Sequence, residues 1–400
     1  MRPKQQAQVT AAEDTASEPE PEPKPVDRKS RLRSFRVRTI SSVLLIGGFI
    51  GIIWAGHVPL MFFILLLQFL VARELFRIAY IAEKSKRSLP LLRTQQWYFF
   101  FTAVFWLYLR FIKNNLLVEV TSDMTLARLF VWAVKHHSLI SYSLYMAGFV
   151  GFVLSLKKGL YLHQFAHYAW THMIILITTV PTSFFVSNVF SGILWYVLPA
   201  FLIVANDICA YLAGFFFGRT PLIKLSPKKT WEGFVGGFLG TLVIAFYLSA
   251  YMSKYKWMTC PRKDLTVFKG LDCTPDDVFI PATYTLADAA AADFTFTVAP
   301  IQLHALSLAA FASIAAPFGG FFASGFKRAF HMKDFGDTIP GHGGVTDRFD
   351  CQIVMAVFAY TYYWSYISKP EVTLGDVLNS ATKLNDHDQI LLVGKMANLL

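Results

Sequence analysis

Several stretches of this chain approach or exceed the roughly 18–20 apolar residues that a helix needs to cross a bilayer. They give about nine membrane segments, at roughly 39–56, 58–80, 96–112, 139–156, 166–186, 190–212, 232–253, 299–319 and 351–368. Within lipid, a helix satisfies all of its backbone hydrogen bonds internally. The expectation is therefore an all-α, polytopic integral membrane protein. The composition agrees, with 54% hydrophobic and 16% aromatic residues, and excludes an ordinary water-soluble domain.

Charge assigns sides to these segments. Residues 1–27 hold few large apolar side chains and include the low-complexity run EPEPEPKP, so they are expected to be disordered. With the basic run RKSRLRSFRVR at 28–38, they form a cytoplasmic tail, 1–38. The first apolar run lacks a small-residue cleavage site and reads as a span rather than a signal peptide. Three connectors are basic: 83–93, 157–159 and 218–229. With the N-terminus inside, all three fall on the cytoplasmic side. Segments 39–186 then form an N-terminal bundle and 187–368 a catalytic region. Parity places 254–298 on the far side and returns 324–350 to the cytoplasmic face. It leaves the tail 369–400 outside, unless a half-length segment within 319–345 intervenes. The net charge of +11 has two readings. One is this cytoplasmic excess of Lys and Arg; the other is an anionic substrate or lipid headgroup.

Ionisable residues inside the segments are costly. Arg73, Glu74 and Arg110 lie near segment ends, where snorkelling or pairing accounts for them. Asp207, after Asn206, lies well inside the sixth segment and reads as functional. The connector after it contains Ser226-Pro227-Lys228-Lys229-Thr230, which suits a helix entry. Free amides, a positive dipole end and two ammonium groups make an anion site there. The same connector also reads as an ordinary basic loop anchored to headgroups.

The densest feature is SGFKRAFHMKDFGDTIPGHGGVTDRFD, residues 324–350. Lys327, Arg328, Lys333 and Arg348 supply charge for phosphate oxygens. Gly341, Gly343 and Gly344 surround His342 after Pro340, and they admit a ligand or adopt positive φ. Asp347 and Asp350 are three apart and share a helical face, a pattern that suits Mg²⁺. Asp334 and Asp337 are either further ligands or balancing charges. His342 is either a reactive group or a hydrogen-bonded turn residue. Acids, cations and glycines beside membrane helices point to a polyphosphate substrate and a lipid co-substrate.

The pattern SxxKRxxxxKDxxxxxPGHGGxxDRxD, Ser324 to Asp350, resembles the signature of the phosphatidate cytidylyltransferases, or CDP-diacylglycerol synthases. SPKKTWEGFVGG and the segment around Asn206–Asp207 resemble the same family, so the likeness covers about 200–365. The form FGGFFASGFKRAF is similar to the eukaryotic branch. Bacterial relatives carry an acid where Gly320 stands, so a second cation has one ligand fewer here. The resemblance implies that CTP and phosphatidic acid give CDP-diacylglycerol and pyrophosphate, for phospholipid synthesis. It implies Mg²⁺ on Asp347 and Asp350, with catalytic roles for Lys327, Arg328, Lys333, Asp334, His342 and Arg348. Substrate binding falls to Asp207, Ser226, Lys228, Lys229, Thr230, Ser324, Gly341, Gly343 and Gly344. A homodimer in the endoplasmic reticulum membrane, with its active site facing the cytoplasm and no nucleic-acid partner, is also implied.

Rival readings fit less well. A CTP-dependent polyprenol or lipid-alcohol kinase needs a base for a hydroxyl nucleophile. A CDP-alcohol phosphotransferase needs a D-G-x-x-A-R run, and none is present. An intramembrane aspartyl protease built on Asp207 and Asp337 lacks G-x-G-D and has no use for the lysines. A transporter leaves the clusters outside the spans unexplained. The four cysteines show no metal-finger spacing. Cys260 and Cys273 fall in the far-side loop, where an oxidising lumen would allow a disulfide; two free thiols are the alternative.

Overall fold

The computed structural model of the chain describes residues 28–82, 90–115, 125–223, 226, 229–265, 271–286, 294–368 and 374–397. Seven long helices come first: α1 (Arg28–Ala55), α2 (His57–Ala82), α3 (Pro90–Asn115), α4 (Thr125–Leu154), α5 (Tyr161–Phe190), α6 (Leu194–Phe217) and α7 (Trp231–Met252). A short helix, α8 (Lys256–Thr259), opens a loop that carries an antiparallel hairpin, β1 (Ala282–Leu286) with β2 (Phe294–Val298). Then follow α9 (Pro300–Ile314), α10 (Pro317–Ala329), α11 (Thr346–Tyr366), α12 (Leu374–Ala381) and α13 (Asp386–Ala397).

Eight of the nine expected segments each coincide largely with one helix, while 299–319 runs across the break between α9 and α10. Seven stretches are long and apolar enough to span: those in α1, α2, α4, α5, α6 and α7, and Pro300–Ala329 across α9 and α10. Helices α3 and α11 fall outside that set. Arg93, Arg110 and Lys113 lower the hydropathy of α3, and Asp347, Arg348 and Asp350 that of α11. The protein is an all-α polytopic membrane protein, and among the described residues these seven stretches meet the length and hydropathy of a crossing. One boundary is corrected. The basic run 28–38 is the first part of α1, because Arg and Lys are good helix formers and no breaker interrupts it. The expected tail 1–38 therefore includes the start of a helix at Arg28, and residues 1–27 lie outside the described residues.

Local chemistry sets the breaks. Gly56, at φ +103°, stops α1 as a left-handed cap. Pro300 and Pro317 open α9 and α10 at positions where a missing amide is harmless. One core packs Leu198 and Leu202 of α6, Leu308 of α9 and Met355 of α11. A second joins Leu60 and Ile64 of α2, Ile112 of α3 and Val189 of α5. Helices α6 and α7 meet closely because their facing residues are small. A Cβ built on Gly236 would fall 2.2 Å from the Cβ of Ala213. Such contact is what holds helices together where lipid removes the hydrophobic drive.

Cys260 and Cys273 form a disulfide in the loop after α7, with their Cα atoms 5.9 Å apart. Removing it with Cys273→Ser should cost about 3 kcal/mol by the chain-entropy model. A thermal melt of the full chain, with and without reductant, measures this. Labelling of both thiols without prior reduction would contradict the bridge.

Candidate active site

A helix N-terminus leaves its first amides without partners inside the helix. At the start of α11 the carboxylate of Glu74 supplies partners, and Asp347 takes two amides of the loop before the helix. Glu74, on α2 and only 3% exposed, accepts from the amides of Val345 and Thr346, each at 2.9 Å. The Thr338 hydroxyl also donates to Glu74, and Arg73 reaches Thr338 at 3.2 Å. Asp347 takes the amides of Phe335 (2.8 Å) and Gly344 (3.2 Å) on one oxygen. Its other oxygen is 2.6 Å from the Lys327 ammonium at the end of α10. The side chains of Lys327 and Asp347 are 16% and 7% exposed, so this is an interior pair. Both carboxylates sit where the helix dipole favours negative charge.

This frame explains the glycines. A Cβ on Gly344 would come within 2.8 Å of both Glu74 Oε2 and the Gly336 amide. Gly341 and Gly343 have φ of +76° and +83°, in a tight turn where the Ile339 amide donates to the Gly343 carbonyl at 2.9 Å. The glycines therefore serve the loop's own geometry, and Gly344 makes room for two carboxylates. His342 has partners on both ring nitrogens: Ser41 Oγ lies 3.1 Å from Nδ1 and Ser42 Oγ 3.2 Å from Nε2. It ties α1 to the loop, which matches the turn-residue reading. Arg348 donates to the His342 carbonyl at 2.6 Å. Arg328, Lys333, Asp334 and Asp337 are exposed, while Ser324 is half-buried on α10.

Asp350 lies one turn further along α11. Its Oδ1 accepts from the Cys351 amide at 2.7 Å. Its Oδ2 faces α10, 3.6 Å from where a Cβ on Gly320 would stand. An acid in place of Gly320 would therefore lie beside Asp350, and here that place has no side chain. Asp347 and Asp350 share a face as expected, but Asp347 is already engaged by Lys327 and two amides.

The connector after α6 approaches the same region. Helix α6 packs against α11, where the Gln352 side-chain amide donates to the Ala200 carbonyl at 3.0 Å. Lys229 Nζ is 3.5 Å from Asp207 Oδ1, and both are well exposed. Helix α7 starts later than the expected Ser226–Pro227 entry. Thr230 is its N-cap and accepts from the Gly233 amide at 3.2 Å. Ser226 instead lies in a turn, its carbonyl taken by the Lys229 amide at 3.1 Å. Lys228 lies outside the described residues. Two residues without a functional role in the sequence reading prove central. Glu232 accepts from the Thr220 hydroxyl (2.7 Å) and the Arg219 amide (3.1 Å), folding the connector back on itself. An acid just after a threonine cap was the available signal. Glu74 offered none, because its partners lie far down the chain.

Among the described residues, no three His, Cys, Asp or Glu side chains are gathered to hold a metal. Two carboxylates a turn apart fit one hard cation whose shell is completed by substrate oxygens. Asp350 can offer Oδ2; Asp347 would share its carboxylate with Lys327.

Glu74→Ala removes the acceptor of two amides and a hydroxyl. It should destabilise the protein by about 3 kcal/mol or more, read as a lowered melting midpoint. Asp347→Asn should also destabilise, by about 3 kcal/mol, because it leaves the Lys327 charge buried without its partner. If Asp347→Asn melts like the parent while losing activity, Asp347 is a ligand only.

Comparison with known proteins places the chain in a family. A sequence profile of the cytidylyltransferase family matches residues 36–366. Phosphatidate cytidylyltransferase 1 of Arabidopsis thaliana is 47% identical over 379 residues, covering 94% of this chain and 90% of that protein. Phosphatidate cytidylyltransferase 3 of the same plant is 45% identical, covering 93% and 79%. Phosphatidate cytidylyltransferase 1 of Homo sapiens is 43% identical over 347 residues, covering 85% and 74%. With the profile spanning most of its length and the signature loop folded onto α11, the chain belongs to the cytidylyltransferase family.

Proposed function

We propose that the chain is a phosphatidate cytidylyltransferase, transferring the cytidylyl group of CTP to phosphatidic acid. A phosphate oxygen of phosphatidic acid forms a bond to the α-phosphorus of CTP. The bond from that phosphorus to the bridging oxygen breaks, and pyrophosphate leaves with its electron pair. The observation that carries this reading is the first turn of α11, where an acidic pair meets the cationic end of α10 at the edge of a membrane bundle. The nucleophile is a phosphate monoester with a second pKa of about 6, so it is largely ionised at neutral pH. It needs little help from a base, and His342 is held at both nitrogens by serines. A lipid-alcohol kinase would want a free base there. An aspartyl protease reading is also disfavoured, since Asp207 faces Lys229.

The difficulty is bringing one anion onto another. Exposed Arg328, Lys333 and Lys229 would receive phosphate oxygens, while Lys327 holds Asp347 in place. Mg²⁺, held by Asp350 and Asp347, would neutralise developing charge on the leaving pyrophosphate. A second cation would find no side chain at Gly320. The active site would face the cytoplasm of an endoplasmic reticulum membrane. The basic connectors, and a disulfide loop on the other side of α7, support that placement. The homodimer is carried over from the family resemblance.

The test is transfer from CTP labelled at the α-phosphorus and, in parallel, at the γ-phosphorus, with phosphatidic acid, diacylglycerol or dolichol as acceptor. With phosphatidic acid alone, the α label should enter the lipid and the γ label should appear in pyrophosphate. Transfer of the γ label to dolichol or diacylglycerol instead would establish a kinase.

A further inference from the structure

The far end of the bundle holds a second cavity. Helix α11 has 21 residues, which is about 31 Å at 1.5 Å per residue. The active-site loop lies at its start, and Tyr363 and Trp364 near its end line this cavity. The cavity measures about 580 Å³, within the usual range for a ligand site.

Its wall is aromatic. The Trp195 ring, from the start of α6, lies 5.0 Å from Tyr363 and 6.2 Å from Phe279 between centroids. Two charged rims stand over it. Arg262 and Lys263 follow Cys260, and Asp276 and Asp277 follow Cys273. The disulfide therefore ties the cationic rim to the anionic one. The Arg262 amide donates to the carbonyl of Phe190 at 3.0 Å, which fixes the cationic rim to the end of α5. Its side chain is 6% exposed and 3.9 Å from Asp264. Trp364 is half exposed, so the mouth of the cavity reaches the outer surface where membrane helices end.

We propose that this cavity is a binding site for the headgroup of a zwitterionic phospholipid in the leaflet opposite the active site. The phosphate lies against Arg262 and Lys263, as guanidinium and ammonium groups favour. The positively charged amine lies between the aromatic rings and the carboxylates of Asp276 and Asp277. A simple anion would meet only one rim favourably and be repelled by the other. A ligand that carries both signs matches both, and its acyl chains leave past Trp364 into the bilayer.

The test uses the full chain in detergent and dihexanoylphosphatidylcholine below its micellar concentration. Dihexanoylphosphatidylglycerol and inorganic phosphate serve as controls. The choline lipid should raise the melting midpoint by about 2 °C or more, and the controls should not. Lys263→Gln and Asp276→Asn alter charges at the rims, and each should remove at least about half of that shift. Both variants should transfer cytidylyl groups within about twofold of the parent rate, so this site is read separately from the proposed reaction. No shift in the parent, an equal shift with the glycerol lipid or phosphate, or a full shift in both variants would overturn the proposal.

Discussion

The carboxylate of Glu74 holds the start of α11, and the candidate site depends on that contact. Two backbone amides of the stretch 324–350 terminate on a side chain from α2. A buried carboxylate is tolerable only when its charge is met, and here amides and a hydroxyl at a helix N-terminus meet it. The contact fixes where α11 begins, and so fixes Asp347 and Asp350 relative to α10. Asp347 then closes the other half of the frame through Lys327 and the amides of Phe335 and Gly344.

Division of labour between the two aspartates follows from this. Their spacing suggests an equivalent pair, and a helix does present them on one face. Their surroundings are not equivalent. Asp347 is embedded in a network that shapes the loop, whereas Asp350 keeps an oxygen toward the gap at Gly319–Gly320. A side chain at Gly320 would enter this space beside Asp350, with its Cβ 3.6 Å from Asp350 Oδ2 and a tight 3.2 Å from Cys351 Sγ.

Much of this was legible from local patterns. Apolar length located the helices, because lipid leaves the backbone no alternative to internal bonding. The spacing of Asp347 and Asp350, and the clustering of Lys327, Arg328 and Lys333 before them, marked the candidate site. The separation of Cys260 and Cys273 in one loop made the disulfide a concrete expectation, and the two are joined. What stayed illegible was long-range. Glu74 resembled any acid near a helix end, because its meaning lies in amides more than two hundred residues later. Ser41 and Ser42 were anonymous for the same reason, and they tie His342 to α1. The entry of α7 was misplaced because a proline next to a serine mimics a helix start, while the actual cap is Thr230.

The central claim is that Asp350 presents its carboxylate to the cation of the reaction while Glu74 only positions the helix that carries it. A Mg²⁺ titration of initial rates compares Asp350→Asn with Glu74→Gln most directly. Asp350→Asn should lose activity by about a hundredfold and need far more Mg²⁺ for what remains. Glu74→Gln should lower the maximal rate with an unchanged Mg²⁺ midpoint. An Asp350→Asn enzyme with the parent's Mg²⁺ dependence would contradict the assignment.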